Sequence, residues 1–155
     1  MRLNRRRLLT LPMALAATPV AAACRPPTVL FVCPAGTVKS AIARETLKRR
    51  AAARGLPLDV RSRGISPEDH VSPELARRLR ADGVDPAAQP ALPVTAADVA
   101  DADVVVAFDA AAEAPVMKGA RSWVTPSWNS DYDKAKADLD RRLDGLLAEL
   151  AQGCR

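Results

Sequence analysis

The sequence predicts an α/β fold, a three-layer sandwich built on a four-stranded parallel sheet with a cysteine-bearing loop after the first strand. Three observations carry this. Short apolar runs alternate with longer stretches of helical character, the pattern of strand–helix–strand units. The first run, "VLFVC", is apolar without interruption, as a parallel strand covered on both faces requires. Gly55 and Gly83 then close the two helical stretches that follow.

Each element has its local reason. Residues 24–27 read as a linker, and the first strand runs from Thr28 to Val32. "KSAIARETLKRRAAARG" reads as a helix with Ser40 at its cap or in its first turn. Ile42 and Leu47 begin its apolar side, and Arg49, Arg50 and Arg54 form its wet face. A second strand is expected over Leu58–Ser62, and a helix over Pro73–Ala81. A short helix over Ala96–Ala100 leads into the third strand, Val104–Phe108, and the fourth covers Ser122–Val124. The final helix takes Asn129 or Ser130 as its cap, with Leu139, Leu143, Leu146, Leu147 and Leu150 as its apolar stripe. In a sheet of this kind ligands bind beyond the carboxyl ends of the strands, which is where Cys33 stands.

Residues 1–23 are set apart. Arg2 and Arg5 to Arg7 precede an apolar stretch, Leu8–Val20, and then Ala21, Ala22 and Ala23. That order reads as an export signal, and "NRRRLLT" is similar to the twin-arginine signature. The expectation is an exported protein, periplasmic or on the outer surface. Any membrane attachment comes through the signal or through a lipid on Cys24, since "AAAC" is a loose lipoprotein box. Residues 28–155 are then one domain.

The whole chain of 155 residues carries a net charge of +5. Residues 1–23 hold four arginines and no acid, so the remainder has 19 basic and 18 acidic residues, a net of +1. A nucleic-acid partner therefore gains no support from charge. The three cysteines, Cys24, Cys33 and Cys154, lack metal-site spacing, and His70 is the single histidine, solvated in a polar loop, so neither a metal nor a cofactor is expected. A disulfide between Cys24 and Cys154 stays open in an oxidising compartment, as does the oligomeric state.

The loop "CPAGTVKS" joins the first strand to a helix start, where unpaired backbone N–H groups bind anions. Gly36 permits a tight turn. A thiolate at Cys33 would be stabilised by the helix end and by Lys39. Nucleophile, anion cradle and cation together suit attack on a phosphate ester or a similar tetrahedral oxyanion. A buried filler cysteine beside a surface lysine is the competing reading.

Several stretches decide the comparison. "VLFVC" with its loop, "VRSRGI", "VSPELARRLRADGVD" and "LPVTAADVADADVVVAFD" occur in the order and spacing of one family. The chain resembles the low-molecular-weight protein tyrosine phosphatases, a family that includes one class of arsenate reductases. The resemblance implies Cys33 as nucleophile and Ser40 as the residue holding its thiolate. It implies Pro34, Ala35, Gly36, Thr37, Val38 and Lys39 as the phosphate-binding loop, and a phosphorylated substrate. It also suggests Trp128 as a wall of the substrate cleft, against core packing as the alternative.

The departures fall on the chemistry. The family's loop arginine is here Lys39, which keeps the charge and loses the planar fork. The family's loop glycine and asparagine are Ala35 and Gly36, and its second loop cysteine is Val38. Its Asp-Pro pair, the general acid, is here Thr125-Pro126, so Asp131 becomes the candidate acid, with Asp133 close by; both also suit the first turn of a helix. Residues 71–90 contain no cysteine, so thioredoxin-coupled arsenate reduction lacks its downstream thiols. Three readings follow: an exported phosphomonoesterase, a degenerate oxyanion-binding relative, and an arsenate reductase using an external thiol.

Overall fold

The computed structural model describes residues 25–153. Residues 1–23, which the sequence reads as an export signal, lie outside the described residues, as do Cys24 and Cys154. Strand β1 (Thr28–Cys33) is followed by helix α1 (Lys39–Ala53), β2 (Asp59–Gly64), α2 (Pro73–Ala81), α3 (Ala96–Asp101), β3 (Val104–Phe108), β4 (Arg121–Trp123) and α4 (Tyr132–Leu150). The sheet has the order β2-β1-β3-β4 and every pair is parallel.

Strand β1 sits inside the sheet and all six of its residues are buried. Its side chains alternate between two cores. Val29, Phe31 and Cys33 face the larger one, with Leu47 of α1, Leu79 of α2 and the leucine stripe of α4. Leu30 and Val32 face a smaller one, covered by α3 and by 3-10 turns at Asp109–Glu113 and Pro115–Met117. Phe31, Phe108 and Trp123 meet at centroid distances of 5.7 to 6.1 Å. These layers are the three-layer sandwich read from the sequence.

Strand β2 lies at Asp59–Gly64 rather than Leu58–Ser62. Its register explains the shift, because β1 pairs with it as far as Cys33 opposite Gly64. On this edge strand Val60, Ser62 and Gly64 are buried while Asp59, Arg61 and Arg63 are half-exposed. Arg63 pairs with Asp98 at 2.8 Å. Burial pushes the Asp98 carboxyl up, but hydrogen bonds from Thr95 and Arg63 outweigh it and hold the group below its ordinary value. β4 starts one residue earlier than expected, which leaves Val124 74% exposed beyond its end.

Two further expectations change. Helix α4 is capped at Asp131, not at Asn129 or Ser130. The Asn129 carboxamide instead accepts a hydrogen bond from Ser72, and Ser130 N–H donates to Ser127. The arginines of α1 are not a merely wet face. Arg49 donates to the carbonyls of Asp82 and Gly83, Arg50 pairs with Asp140 and Asp144, and Arg54 pairs with Asp144. They join α1 to α4 and to the end of α2.

The same corner holds Tyr132, whose hydroxyl donates to Asp82 at 2.8 Å while the Arg78 guanidinium lies 4.0 Å from its ring centroid. Burial, and then the hydrogen bond to Asp82, push the phenol from 10.0 up to about 12. Stability linked to this group is therefore complete below pH 10 and is lost as pH rises toward 12, because the unfolded chain gives up its proton first. Urea unfolding should show stability declining across that window in the wild type, with a shallower decline in Tyr132→Phe; equal slopes would remove Tyr132 as the cause.

Candidate active site

Strand β1 delivers Cys33 to the sheet's carboxyl edge, and α1 begins at Lys39 with Val38 as its N-cap. The loop between them closes on the cysteine sulfur. Gly36 N–H donates to Cys33 Sγ at 3.2 Å, and Ser40 Oγ lies 3.1 Å from the same sulfur. Ser40 Oγ is also 3.3 Å from the Arg63 carbonyl, to which it can donate. A serine hydroxyl has one hydrogen. With a thiol at Cys33 it can serve the carbonyl, and with a thiolate it can turn to the sulfur.

Two peptide planes of the loop are fixed from outside. The Pro34 carbonyl accepts from Ser66 N–H at 2.9 Å, and the Ala35 carbonyl from Glu68 N–H at 3.1 Å. Peptides here are trans, so the N–H of each plane points opposite to its carbonyl. The Ala35 and Gly36 amides therefore turn away from residues 66–68, and the latter is the one that reaches the sulfur. Gly36 has φ +73°, the left-handed region open to glycine. A Cβ at Gly64 would stand 2.9 Å from Ala35 C and Gly36 N. Glycine at 64 is what lets the end of β2 lie against the loop.

Lys39 does not stand free at the loop's far end. Its ammonium donates to the Asp109 carboxylate and, at 2.9 Å, to the Thr125 carbonyl. Asp109 follows β3 with φ +50°, and its other oxygen accepts from Thr125 N–H at 3.0 Å. One carboxylate thus ties the helix start to the segment after β4. The Thr37 and Thr125 hydroxyl oxygens are buried and have no hydrogen-bond partner among the described residues. A cavity of about 300 Å³ adjoins the loop at Gly36 and Thr37, walled by Val71, Ala76, Pro86 and Ala91.

The family model for low molecular weight phosphotyrosine protein phosphatase matches residues 28–152. The chain belongs to that family. No match is found among curated proteins. Among solved structures, YfkJ from Bacillus subtilis is similar with a TM-score of 0.70 at 20% identity, over 86% of this chain and 100% of that one. A low molecular weight protein tyrosine phosphatase from T. tengcongensis has a TM-score of 0.67 at 20% identity, over 79% and 99%. An arsenate reductase in the phosphate binding state has 0.64 at 20% identity, over 80% and 98%. These likenesses establish the fold.

Within this phosphatase-family frame the residues singled out from sequence separate into two groups. Cys33, Gly36 and Ser40 come together around the sulfur, and Pro34 and Ala35 shape the loop through their carbonyls. Val38 leans on the larger core, and its carbonyl accepts the first helical bond of α1, from Ile42. Lys39 reaches Asp109 instead of pointing free into the loop.

Two expectations are corrected. Asp131 is exposed, its ion pair is with Lys134 at 3.7 Å, and none of its hydrogen bonds is to the loop, so its place is the α4 start. Trp128 is 5% exposed, stacks edge-on with Tyr132 at 5.3 Å in the larger core and is not among the residues lining the cavity beside the loop, so core packing describes its place. His70 is exposed. Among the described residues no group of three His, Cys, Asp or Glu side chains is placed to hold a metal ion.

Sequence reasoning missed Asp109 and Arg44. Asp109 directly follows the third strand, at the edge where ligand-binding residues collect, and that was its signal. Arg44 lies one helical turn beyond Ser40 and is 1% exposed; only its spacing from Ser40 pointed inward. The close approach at Gly64 yields a test. Gly64→Ala should cost about 1–3 kcal/mol in urea unfolding, as overpacking does. It should also abolish protection of Cys33 from alkylation by phosphate; a variant as stable and as well protected as wild type would mean that the contact does not shape the loop.

Proposed function

We propose that this chain is an exported phosphomonoesterase of low intrinsic rate, working through a cysteinyl-phosphate at Cys33. The carrying observation is the Gly36 N–H donated to Cys33 Sγ, with the neighbouring carbonyls drawn off by Ser66 and Glu68. Amides arranged in this way favour a tetrahedral oxyanion next to the sulfur. Phosphate, similar oxyanions and phosphorylated molecules are then the ligands.

In the first step the Cys33 thiolate forms an S–P bond as the ester P–O bond breaks and the alkoxide departs. Water then attacks phosphorus, releasing inorganic phosphate and returning the thiolate. Ser40 holds the thiolate through its hydroxyl. A proton is needed by a poor leaving group, and Thr125 cannot supply it as a carboxylic acid does. Aryl esters, whose leaving groups are stabilised without protonation, are the substrates this site should handle best. A missing acid costs on the order of a hundredfold or more on alkyl esters.

The export segment supports a location outside the cytoplasm, through its arginines, its apolar stretch and its alanines. Cell fractionation of the full chain should recover it with the envelope or periplasm; recovery in the cytoplasm would remove that part of the reading.

Turnover of p-nitrophenyl phosphate tests the chemistry. The wild type should hydrolyse it and Cys33→Ser should fall to the buffer rate. Turnover that survives in Cys33→Ser would place the reaction elsewhere. Arsenate reduction that depends on an added thiol, in the absence of ester hydrolysis, would assign the same cysteine to the arsenate-reductase branch.

A further inference from the structure

We propose that Arg44, buried beneath the loop, and not Lys39 at its end, is the cation on which anion binding depends, as a positioning residue that never touches the ligand. This rests on the reading of the loop as an oxyanion site. Arg44 heads the fully buried side chains in size and is 1% exposed. A buried guanidinium is costly unless its donors are used. Here Nε donates to Glu45 at 2.6 Å, Nη1 donates to Ser62 Oγ, and Nη2 donates to the Pro86 carbonyl at 3.3 Å.

Those partners frame the loop. Ser62 lies two residues before Gly64, whose backbone presses on Ala35 and Gly36. Pro86 opens the segment that reaches Leu92, whose carbonyl accepts from Gly64 N–H at 2.9 Å. Helix geometry puts Arg44, at i+4, on the same face as Ser40, the residue beside the Cys33 sulfur. One planar fork therefore fixes α1, the end of β2 and the segment after α2 in the arrangement that aims the amides.

Lys39 has the opposite situation. Two of its three N–H donors are committed, to Asp109 and to the Thr125 carbonyl, and the carboxylate offsets its charge. An incoming anion meets an ammonium whose charge is already paired and which has one N–H donor left to offer.

The test compares phosphate affinities, read as protection of Cys33 from iodoacetamide in the full chain. Arg44→Lys keeps the charge but loses the fork, and should weaken phosphate binding about tenfold. Ser62→Ala leaves the arginine and removes one anchor, and should weaken it about threefold or more. Lys39→Met should weaken it less than about twofold, below the loss in Ser62→Ala, as expected for a charge already paired. Melting temperatures are measured in parallel. If Arg44→Lys does not fold, Ser62→Ala against Lys39→Met decides.

A lowered melting temperature with wild-type phosphate affinity in the Arg44 and Ser62 variants would make Arg44 a fold residue only and overturn the inference. So would a larger loss in Lys39→Met. Phosphate protection without ester turnover would sink the phosphatase reading and leave this inference standing. A wild type that phosphate does not protect would end both.

Discussion

The backbone of Gly64 lies against the backbone of Ala35 and Gly36 with no side chain between them, and the site's geometry follows from that contact. Since Cys33 pairs with Gly64 across β1 and β2, the loop and the end of β2 leave the sheet at the same level. Residues 65 to 68 then run alongside the loop and take the carbonyls of Cys33, Pro34 and Ala35 as acceptors. Every carbonyl turned toward that segment turns an amide the other way, where one exists. Proline at 34 has no N–H to place, so the cradle is made by the amides that follow it. A backbone–backbone arrangement of this kind is indifferent to most side chains, which explains how it persists with Ala35, Gly36 and Val38 in positions where the family carries other residues.

Charge is distributed differently from what the loop's composition suggests. A lysine five residues after the cysteine invites the idea of an ammonium waiting for phosphate. The carboxylate of Asp109 meets that ammonium first and is itself held by the Thr125 amide. The result is a polar strut between the start of α1 and the segment after β4, across the carboxyl edge of the sheet. Beneath the loop, Arg44 is enclosed by protein and uses its donors on Ser62, Pro86 and Glu45. One cation is thus paired at the rim and the other is enclosed by its partners, so the proposed anion site rests chiefly on main-chain amides.

Much of the architecture was legible from local signals. Pro73–Ala81 and Val104–Phe108 fall where the sequence placed them, because Ser72 caps α2 through Leu75 N–H and the run Val104–Phe108 is apolar throughout. Strand β2 is displaced from Leu58–Ser62 to Asp59–Gly64, because Arg63 and Gly64 look like loop residues until pairing with β1 sets their register and Asp98 pairs with Arg63. The α4 cap was misread since Asn129 has a stronger claim on Ser72 across the chain. Of the site, the cysteine, the glycine and Ser40 were legible because they lie within eight residues of one another. Asp109 and Arg44 act on partners 70 and 18 positions away, and no spacing rule reaches that far. Trp128 was read as a cleft wall through the family resemblance, while its edge-on packing with Tyr132 is a matter of tertiary packing.

Binding an oxyanion and turning over its ester make different demands, and the chain meets them unequally. Binding needs donors fixed before the ligand arrives, since preorganised dipoles need not reorient when charge develops. The loop supplies these from its backbone, held by Gly64, Ser66 and Glu68. Turnover needs in addition a proton for the departing oxygen and a group that grips the phosphoryl oxygens more tightly as they become equatorial. On the proposed reading, Thr125 replaces the family's acid in sequence and cannot supply the first, and Lys39, tied to Asp109 and Thr125, is restrained from supplying the second. On that reading the donors that act on arrival are kept and those that act late in the reaction are weakened, which fits a phosphomonoesterase of low intrinsic rate. Its catalytic power would then depend on how good a leaving group the substrate brings.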